Sequence, residues 1–340
     1  MKIIEFDKEE TTRRPEAVEP RETSMRGSGW RDSSAWSVPA DPLPEHGRQV
    51  NTPNWRAGRV VRASQSLKMH VLDLGKLRLD KNFMVANATV ATARNPNPPG
   101  QVIDVPVSAY FIEHPDGNVL YDTGCHPDWG GPRGRWPQAT QEIFPVIGGD
   151  ECMLPARLDA LGVGPDQIRH VVLSHLHCDH AGCVEYFRKS QLIVHEDEFV
   201  GAYKHFALRD DNSPYIVDDL ERWSRLGLNW RLVSRSERDQ TIVPGVRLLN
   251  FGSGHAYGML GVDVELRSRN GVLLVADACY TAENYGPPMK HPGISFDSLG
   301  FARTIERIRN LAHEKGSEVW FGHDAEQFAS VRKFSEGYYE

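Results

Sequence analysis

Short apolar runs separated by polar turns begin near residue 68 and continue towards the end of the chain. The first runs are MHVLDLGKLRL, VPVSAYFIEH and VLYDTG, and an Asp-Gly-Asn turn joins the last two. Apolar runs bounded by turn-forming residues predict strands, and the turn predicts a hairpin. Further strands are predicted by the runs IRHVVLSH, QLIVHEDEF, VRLLNFGSGH, GVDVELRSRNGVLLVADACY and EVWFGHD, and the second of these is predicted to continue from a strand into a helix. The fourth of these contains Asn270-Gly271 and predicts a second hairpin.

Three other segments have the spacing of amphipathic helices. They are DECMLPARLDALGV (150–163), YIVDDLERWSRL (215–226) and the region in which Leu299, Ala302, Ile305, Ile308, Leu311 and Ala312 recur. Gly316 follows the last of these, and glycine commonly ends a helix. Strands and hairpins alternating with helices predict layered sheets with helices outside.

The first 65 residues differ from the rest of the chain. They are rich in Pro, Arg, Glu, Ser and Gly and lack helical or strand periodicity, so we expect residues 1–65 to be an irregular extension and residues 66–340 to be one domain. Trp30, Trp36 and Trp55 are unusual in such a segment. One hypothesis is that these rings anchor the extension on the domain or on a second subunit of a homodimer, and the alternative is a mobile extension.

Charge and apolar content exclude several kinds of partner. The formal net charge is −7, whereas a nucleic-acid surface needs clustered Lys and Arg, so we expect no nucleic-acid partner. No apolar run approaches the ~20 residues that cross a bilayer, and the N-terminus lacks the apolar core of a signal peptide. Five cysteines without disulfide-type spacing fit a reducing compartment. We therefore expect a cytoplasmic protein with no membrane partner.

Metal-binding residue types follow four of the predicted strands. The seven residues are His175, His177, Asp179, His180, His255, Asp277 and His323. Loops at strand ends in a rigid sheet are a common place for ligands, so we expect these side chains to meet at one rim.

The spacing of the first four residues predicts two metal ions rather than one. In an extended segment His175 and His177 project to the same side and can bind one ion, while Asp179 and His180, at the expected start of a helix, can address a second. Imidazole and carboxylate ligands suit zinc, although cobalt, manganese or iron can occupy the same kind of site. Two neighbouring ions need a bridging anion, and Asp277 is the natural choice.

The segment 175–180 reads HxHxDH and resembles the signature of the metallo-β-lactamase superfamily. SHLHCDHAG, DACYTAENY and FGHDAEQF are more similar still to segments of the quorum-quenching N-acyl homoserine lactonases and related γ-lactonases. The likeness covers about residues 68–332. It implies an α/β fold, the αββα sandwich, with a dinuclear metal site at one edge of the sheets.

The resemblance also implies a role for each site residue. It implies two Zn²⁺ per chain with Asp277 as the bridging ligand. The other ligands form two sets, His175, His177 and His255 in one and Asp179, His180 and His323 in the other. Tyr280 would donate its hydroxyl to a substrate oxygen, and Asp179 would also move a proton. Asp122 would orient a ligand without binding the metal.

This chain departs from the family pattern in two places. Cys183 replaces the more usual second glycine of AGG, and GSGH replaces the common TPGH before His255. Neither departure removes a ligand. Cys178 lies between two ligands at a variable position, and we expect it only to pack.

The reaction that the resemblance implies is the opening of a lactone ring by a hydroxide held between the two metals, with N-acyl homoserine lactones as the expected substrates. The loops 80–90 and 125–149 are expected to surround the substrate. Their apolar residues are Phe83, Met84, Trp129, Trp136 and Phe144. One alternative is that these rings only pack the loops, and another is that the loop 125–149 narrows the site to small rings such as γ-butyrolactone.

Other functions on the same metal site remain open at this point. They include hydrolysis of a thioester, a phosphotriester or a β-lactam. A metal or ligand sensor without turnover is the alternative from a different class, and a full ligand set beside Tyr280 favours the enzyme.

Overall fold

The computed structural model describes residues 67–267 and 270–340, which form two β-sheets and eight α-helices. The predicted extension, residues 1–65 with its three tryptophans, lies outside the described residues. The domain boundary and the homodimer therefore stay predictions. Among the described residues, no helix combines the length and apolar character needed to cross a membrane.

The first sheet has seven strands. They are β1 (Lys68–Asp80), β2 (Val102–Glu113), β3 (Asn118–Tyr121), β4 (Val146–Ile147), β5 (Ile168–Val172), β6 (Gln191–His195) and β7 (Trp230–Val233). Their spatial order is β4-β1-β2-β3-β5-β6-β7. The predicted hairpin is confirmed, since β2 and β3 pair antiparallel. The strands β3, β5, β6 and β7 are parallel to one another.

The second sheet has five strands. They are β8 (Gln240–Val243), β9 (Val246–Gly252), β10 (Met259–Val264), β11 (Val272–Ala276) and β12 (Glu318–Phe321), in the spatial order β12-β11-β10-β9-β8. The second predicted hairpin is the antiparallel pair β10 and β11. Because β10 is antiparallel to both β9 and β11, and β11 is parallel to β12, the strands β9, β11 and β12 end at the same edge.

Eight helices connect or cover these strands. They are α1 (Lys81–Met84), α2 (Gln138–Ile143), α3 (Leu154–Ala160), α4 (Glu196–Leu208), α5 (Val217–Leu226), α6 (Ala282–Tyr285), α7 (Ser298–Lys315) and α8 (Ala325–Ser330). Short 3₁₀ turns occur at Asp150–Cys152, Pro165–Gln167, Val184–Tyr186 and Phe334–Glu336.

The two sheets pack face to face, and helices cover their outer faces. Strand β11 is buried on both of its faces. Val272 and Leu274 pack in the core between the sheets, whereas Leu273 and Val275 pack with α7 on the other side. Side chains of a strand alternate between its faces, so a strand buried on both faces is apolar throughout. On the outer face of the first sheet, α3 and α5 complete a third core. The predicted αββα sandwich is confirmed.

Two predicted helices differ in detail from the structure. The segment 150–163 is divided into a 3₁₀ turn and α3, because Pro155 lacks an N–H and is tolerated only in the first turn of a helix. Helix α7 ends at Gly316 as predicted, in the left-handed conformation. Its Leu299 is 72% exposed, however, and Phe301 and Ile305 lead the buried face instead.

Two hydrogen bonds join the sheets at the edge where these strands end. Leu260 N donates to Ser174 O over 2.9 Å, and the Tyr121 hydroxyl donates to Leu260 O over 3.0 Å. Ser174 follows β5, and Leu260 lies at the start of β10. The loops after β5, β9, β11 and β12 are therefore brought to one rim.

Candidate active site

All seven predicted ligands meet at this rim and are buried, none of them more than 8% exposed. They come from the loops after four strands. His175, His177, Asp179 and His180 follow β5, and the other three follow β9, β11 and β12 in turn: His255, Asp277 and His323. The ends of these four strands therefore bring the seven side chains together, as the sequence predicts.

The loop after β5 is a tight turn rather than the start of a helix, which corrects one expectation. His180 N and Ala181 N both donate to His177 O, over 3.1 and 3.0 Å. The chain then reaches only the 3₁₀ turn at Val184–Tyr186. Because the turn reverses the chain, His177 and His180 address different parts of the site.

Three histidines form the first half of the site, which we call the three-histidine cluster: His175, His177 and His255. His255 Nε2 lies 2.9 Å from His177 Nδ1 and 3.2 Å from His175 Nε2. Burial is the main reason that the pKa of His175 and the pKa of His177 lie well below the usual range, and it also lowers the pKa of His255. These rings are therefore held neutral, which is the form that binds a metal.

The second half, which we call the mixed cluster, consists of Asp179, His180 and His323. Asp179 Oδ2 lies 3.5 Å from Nε2 of each histidine. Burial by itself would lower the pKa of both histidines, but the carboxylates of Asp277 and Asp179 outweigh it. The pKa of His180 is thus well above its ordinary value, and the pKa of His323 is raised.

Asp277 lies between the two clusters and directs one oxygen to each. Its Oδ2 is 3.3 Å from His255 Nε2 and 3.7 Å from His175 Nε2. Its Oδ1 is 3.0 Å from His323 Nε2 and 3.2 Å from His180 Nε2. Although burial opposes it, the two histidines of the mixed cluster hold the pKa of Asp277 well below its usual range, so the carboxylate is ionised.

The donor set fits two divalent cations. His180 Nε2 and Asp277 Oδ1 are buried and, despite the 3.2 Å between them, are not aligned for a hydrogen bond with each other or with another group. A buried polar atom without a partner is costly, and a cation between these atoms would remove that cost. Nitrogen and carboxylate donors from seven residues match the ligand preference of zinc and related ions.

The second ring nitrogen of three histidines is also held in place. Asp122 Oδ2 lies 2.9 Å from His180 Nδ1, while its Oδ1 accepts from Ser174 N over 2.7 Å. The Ser174 hydroxyl is 2.9 Å from His175 Nδ1. His323 Nδ1 donates to Pro106 O over 2.8 Å. Such contacts fix ring orientation and leave the other nitrogen for the metal.

Sequence reasoning found only one of these partners, Asp122. Ser174 precedes the first histidine and could have been inferred from that position. Pro106 acts through its backbone carbonyl, as does Ile294, whose oxygen lies 3.3 Å from His255 Nδ1. A backbone carbonyl leaves no side-chain signal in a sequence.

Tyr280 is buried beside the three-histidine cluster, and its hydroxyl lies 2.7 Å from His255 Nδ1. Burial, reinforced by the charges of Asp277 and Asp179, places the pKa of Tyr280 well above its usual value. The phenol is therefore protonated. If Nε2 of His255 binds a metal, its Nδ1 carries one hydrogen, which the phenol oxygen at 2.7 Å and Ile294 O at 3.3 Å share as acceptors, so the hydroxyl hydrogen remains free for another acceptor.

A cavity of about 330 Å³ opens onto both clusters and Tyr280. Three of the five predicted pocket residues line it: Phe83, Met84 and Phe144. Further apolar side chains complete the wall, and these are Leu77, Leu79, Ala139 and Ile143. Cys178, predicted only to pack, also contributes to the wall. Residues 211–213 add polar groups.

Trp129 and Trp136 do not line this cavity, which corrects the prediction for the loop 125–149. Their rings pack edge to face, 5.5 Å apart, and Trp136 is only 1% exposed. Backbone hydrogen bonds from Arg135 N to Asp128 O and from Trp136 N to Trp129 O close the loop. This closure turns both rings into the core on the outer face of the first sheet.

Comparison with known proteins supports a family assignment. The model of the metallo-β-lactamase superfamily matches residues 102–311. The N-acyl homoserine lactonase AiiB of Agrobacterium fabrum is 55% identical over 273 residues, which are 80% of this chain and 99% of that protein. AiiB of Rhizobium rhizogenes is 54% identical over the same length.

Solved structures show the same relationship. A crystal structure of a mutant of Bacillus thuringiensis AiiA, with N-decanoyl-L-homoserine bound at its active site, has a TM-score of 0.66 and 27% identity and covers 81% of this chain and 100% of that chain. An N-acyl homoserine lactone hydrolase with N-hexanoyl-L-homoserine at its catalytic metal center gives the same values. Because the family model and the identity to AiiB agree with the fold, the chain belongs to the metallo-β-lactamase superfamily. Within that superfamily it belongs to the N-acyl homoserine lactonases, which are hydrolases.

Proposed function

We propose that this protein hydrolyses N-acyl homoserine lactones to N-acyl homoserines, using two zinc ions. The observation that carries the proposal is Asp277, whose two oxygens face two ligand clusters at the end of a cavity with an apolar wall. The relatives named above are lactonases, and two solved structures hold acyl homoserine molecules at the active site or metal center. Opening of a lactone ring ends the signal function of such molecules, which is quorum quenching.

The chain would hold one zinc ion in the three-histidine cluster and one in the mixed cluster, with Asp277 shared. Bound there, the ions would activate water for attack near neutral pH and polarise the ester carbonyl. The proposal is supported by the pKa of His175 and of His177, which burial lowers, and by the pKa of Asp277, which the histidines of the mixed cluster lower, because a neutral imidazole and an ionised carboxylate are the forms that bind a metal.

Tyr280 donates a hydrogen bond to the lactone carbonyl oxygen as negative charge develops on it. The phenol is protonated and lines the cavity, and His255 Nδ1 supports its oxygen from the other side. A single donor of this kind typically stabilises the transition state by about 3 kcal/mol.

Asp179 moves the proton. Its carboxylate lies in the cavity wall and next to both histidines of the mixed cluster. It takes a proton from the attacking water as the new C–O bond forms, and it gives that proton to the ring oxygen as the ring C–O bond breaks. The product is a carboxylic acid and an alcohol in one molecule, and the acid releases the second proton of the water to solvent near neutral pH.

The apolar wall would take the acyl chain. Phe83 and Phe144 lie with their rings 5.0 Å apart, next to Leu77 and Ile143 in the lining. Each buried methylene is worth about 0.8 kcal/mol, so several methylenes give a clear preference for acylated substrates over the bare ring.

The test is a substrate series with the full chain loaded with zinc. Proton release is followed for γ-butyrolactone and for butanoyl, hexanoyl, octanoyl and decanoyl homoserine lactones. We expect kcat/KM to rise with acyl length until the wall is filled. Good activity on γ-butyrolactone with a flat or falling series would instead indicate a small-lactone hydrolase. A zinc-loaded chain that hydrolyses none of them would overturn the proposal.

A further inference from the structure

A buried carboxylate outside the ligand set lies behind the three-histidine cluster. Glu198 is in the first turn of α4 and is 0% exposed. It belongs neither to the predicted ligands nor to the cavity lining. Burying a carboxylate is costly unless its oxygens are hydrogen-bonded, so its contacts indicate what it does.

Glu198 binds both loops that supply the three histidines. Its Oε1 accepts from Leu176 N over 2.9 Å, and its Oε2 accepts from Gly258 N over 3.3 Å. Leu176 lies between His175 and His177, and Gly258 lies three residues after His255. One side chain therefore joins two loops that are about 80 residues apart in sequence.

A third contact reaches the cluster through an aromatic ring. Burial raises the pKa of the Glu198 carboxylate, and the neighbouring Tyr215 hydroxyl offsets part of this rise. The ring of Tyr215 packs edge to face on the ring of His177, with 5.0 Å between centroids. Glu198 thus supports His177 both through the backbone beside it and through the ring that covers it.

Close packing leaves little freedom for the loop after β9 to move away from α4. A Cβ at Gly258 would lie 2.1 Å from Nδ1 of the buried His195, which caps α4. A Cβ at Gly201, one turn along α4, would lie 2.2 Å from the ring of Tyr257. These contacts set the position of Gly258, and the hydrogen bond from its N–H to Glu198 sets the orientation of its peptide.

We propose that Glu198 is a positioning residue that makes His175, His177 and His255 converge on one metal ion by holding the N–H groups of Leu176 and Gly258. The inference rests on the proposed function, because it assumes that the cluster binds metal. Loss of the carboxylate would leave two buried N–H groups without their acceptor and would let the two loops separate.

The test measures metal binding rather than turnover alone. The full chain is loaded with two equivalents of Co²⁺, the absorption spectrum of the bound ion is recorded, and the affinity of each ion is measured by competition with a chelator. Partners behind the ligands typically contribute 10- to 100-fold to metal affinity. We expect one of the two ions to bind about 10-fold more weakly in Glu198→Gln and about 100-fold more weakly in Glu198→Ala, while the other ion keeps its affinity.

Two control variants separate positioning from general loss of stability. Glu196→Gln changes an exposed carboxylate in the same turn of α4. Asp263→Asn changes a carboxylate that is 1% exposed, near the far end of β10, and that pairs with Lys315 rather than with the site. We expect both controls to bind two ions as the unchanged chain does, even if Asp263→Asn lowers the melting temperature.

Each outcome of the test decides between these roles. The positioning role is wrong if Glu198→Gln binds each ion with an affinity within twofold of that of the unchanged chain. It is also wrong if Glu198→Gln lowers the affinity for both ions equally. Should Glu198→Ala fail to fold, Glu198→Gln carries the test, because it keeps the length of the side chain and one acceptor oxygen. An unchanged chain that binds two ions but hydrolyses no lactone would overturn the proposed substrate and leave the metal affinities to decide on Glu198.

Discussion

The two halves of the site place the same residue type in opposite electrostatic settings. In the three-histidine cluster, burial lowers the pKa of His175 and of His177. In the mixed cluster, burial acts on His180 and His323 in the same direction, but the Asp277 and Asp179 carboxylates reverse its effect. Neighbouring charge, rather than depth, decides whether a buried imidazole is neutral in the absence of a metal.

The two halves also differ in how they are held. Asp122 contacts a ring of the mixed cluster directly, at His180 Nδ1. Glu198 contacts the backbone beside the three-histidine cluster instead, at Leu176 N and Gly258 N. A carboxylate beside a ring raises the pKa of that ring, whereas a carboxylate bound to the neighbouring backbone N–H groups positions the ligands without contacting their rings. The predictions below test this contrast, from the largest expected effect to the smallest.

Asp277→Asn should weaken metal binding in both halves of the site, because both clusters share this carboxylate. We expect kcat/KM to fall by more than about 1,000-fold, since charge is lost at both metal positions and each tenfold corresponds to about 1.4 kcal/mol. Metal content is measured with the kinetics, and both ions should bind more weakly. Loss of a single ion with the second unaffected would show that Asp277 belongs to one cluster only.

Tyr280→Phe should affect catalysis without affecting either cluster. Removal of one donor to a developing oxyanion typically lowers kcat by about 100- to 1,000-fold. We expect a loss in this range with two ions still bound at unchanged affinity. The check is kcat on hexanoyl homoserine lactone together with metal analysis, and a variant with wild-type kcat would remove Tyr280 from the mechanism.

Glu198, the carboxylate behind the three-histidine cluster, should make the free energy of unfolding depend on pH. Burial raises the pKa of Glu198 to about 7, above its ordinary 4.5. A raised pKa means that the contribution of Glu198 to folding is fully present below about pH 4.5 and is lost as the pH rises through about 7. Relative to Glu198→Gln, the metal-free chain should therefore lose up to about 3 kcal/mol of unfolding free energy over this window.

Urea denaturation with a chelator present, at several pH values between 4.5 and 8, measures this difference. Glu196→Gln, which changes an exposed carboxylate in the same turn of α4, is the control. A constant difference between Glu198→Gln and the unchanged chain would mean that Glu198 titrates normally in the folded protein.

Asp122→Asn should affect only the mixed cluster. The amide can still accept a hydrogen bond, but the charge beside His180 is lost, and we expect one ion to bind about 10- to 100-fold more weakly. In the Co²⁺ competition experiment, the ion whose affinity falls in Asp122→Asn should be the ion whose affinity is unchanged in Glu198→Gln. If both variants weaken the same ion, the two halves are not independently supported.

Phe83→Ala should leave both clusters intact and change only substrate preference. Phe83 packs on Phe144 in the cavity wall. We expect kcat/KM for decanoyl homoserine lactone to fall about 10-fold, with little change for γ-butyrolactone, because apolar area is lost only to the acyl chain. Leu299→Ala, at a residue that is 72% exposed on α7, is the control. An equal loss on both substrates would indicate general damage to the site.

The predicted ligands could be found from the sequence because their signal is local. Each follows an apolar run, and the run fixes a strand whose end must lie at a sheet edge. His175 and His177 also stand at the two-residue spacing of an extended segment. The expected helix after them is absent, since Ala181 N donates to His177 O in a tight turn, but this does not move the ligands away from the rim.

The wall of the cavity was predicted less well, because composition cannot tell which side of a loop faces a cavity. Phe83 and Phe144 line it, whereas Trp129 and Trp136 are turned into the core by backbone hydrogen bonds within the loop 125–149. Glu198 was missed for a related reason. It lies among other acidic residues at the start of α4, and only burial distinguishes it from Glu196.

The sequence by itself determined the strands, the two hairpins, the position of the ligands at strand ends and the family, because these follow from local spacing and motif. The tertiary structure decided how the candidate ligands divide in space, which oxygen of Asp277 faces which cluster, and why the pKa is raised in one pair of histidines and lowered in the other set. These properties depend on burial and on charges brought together from distant parts of the chain. Neither exists until the two sheets have packed against each other.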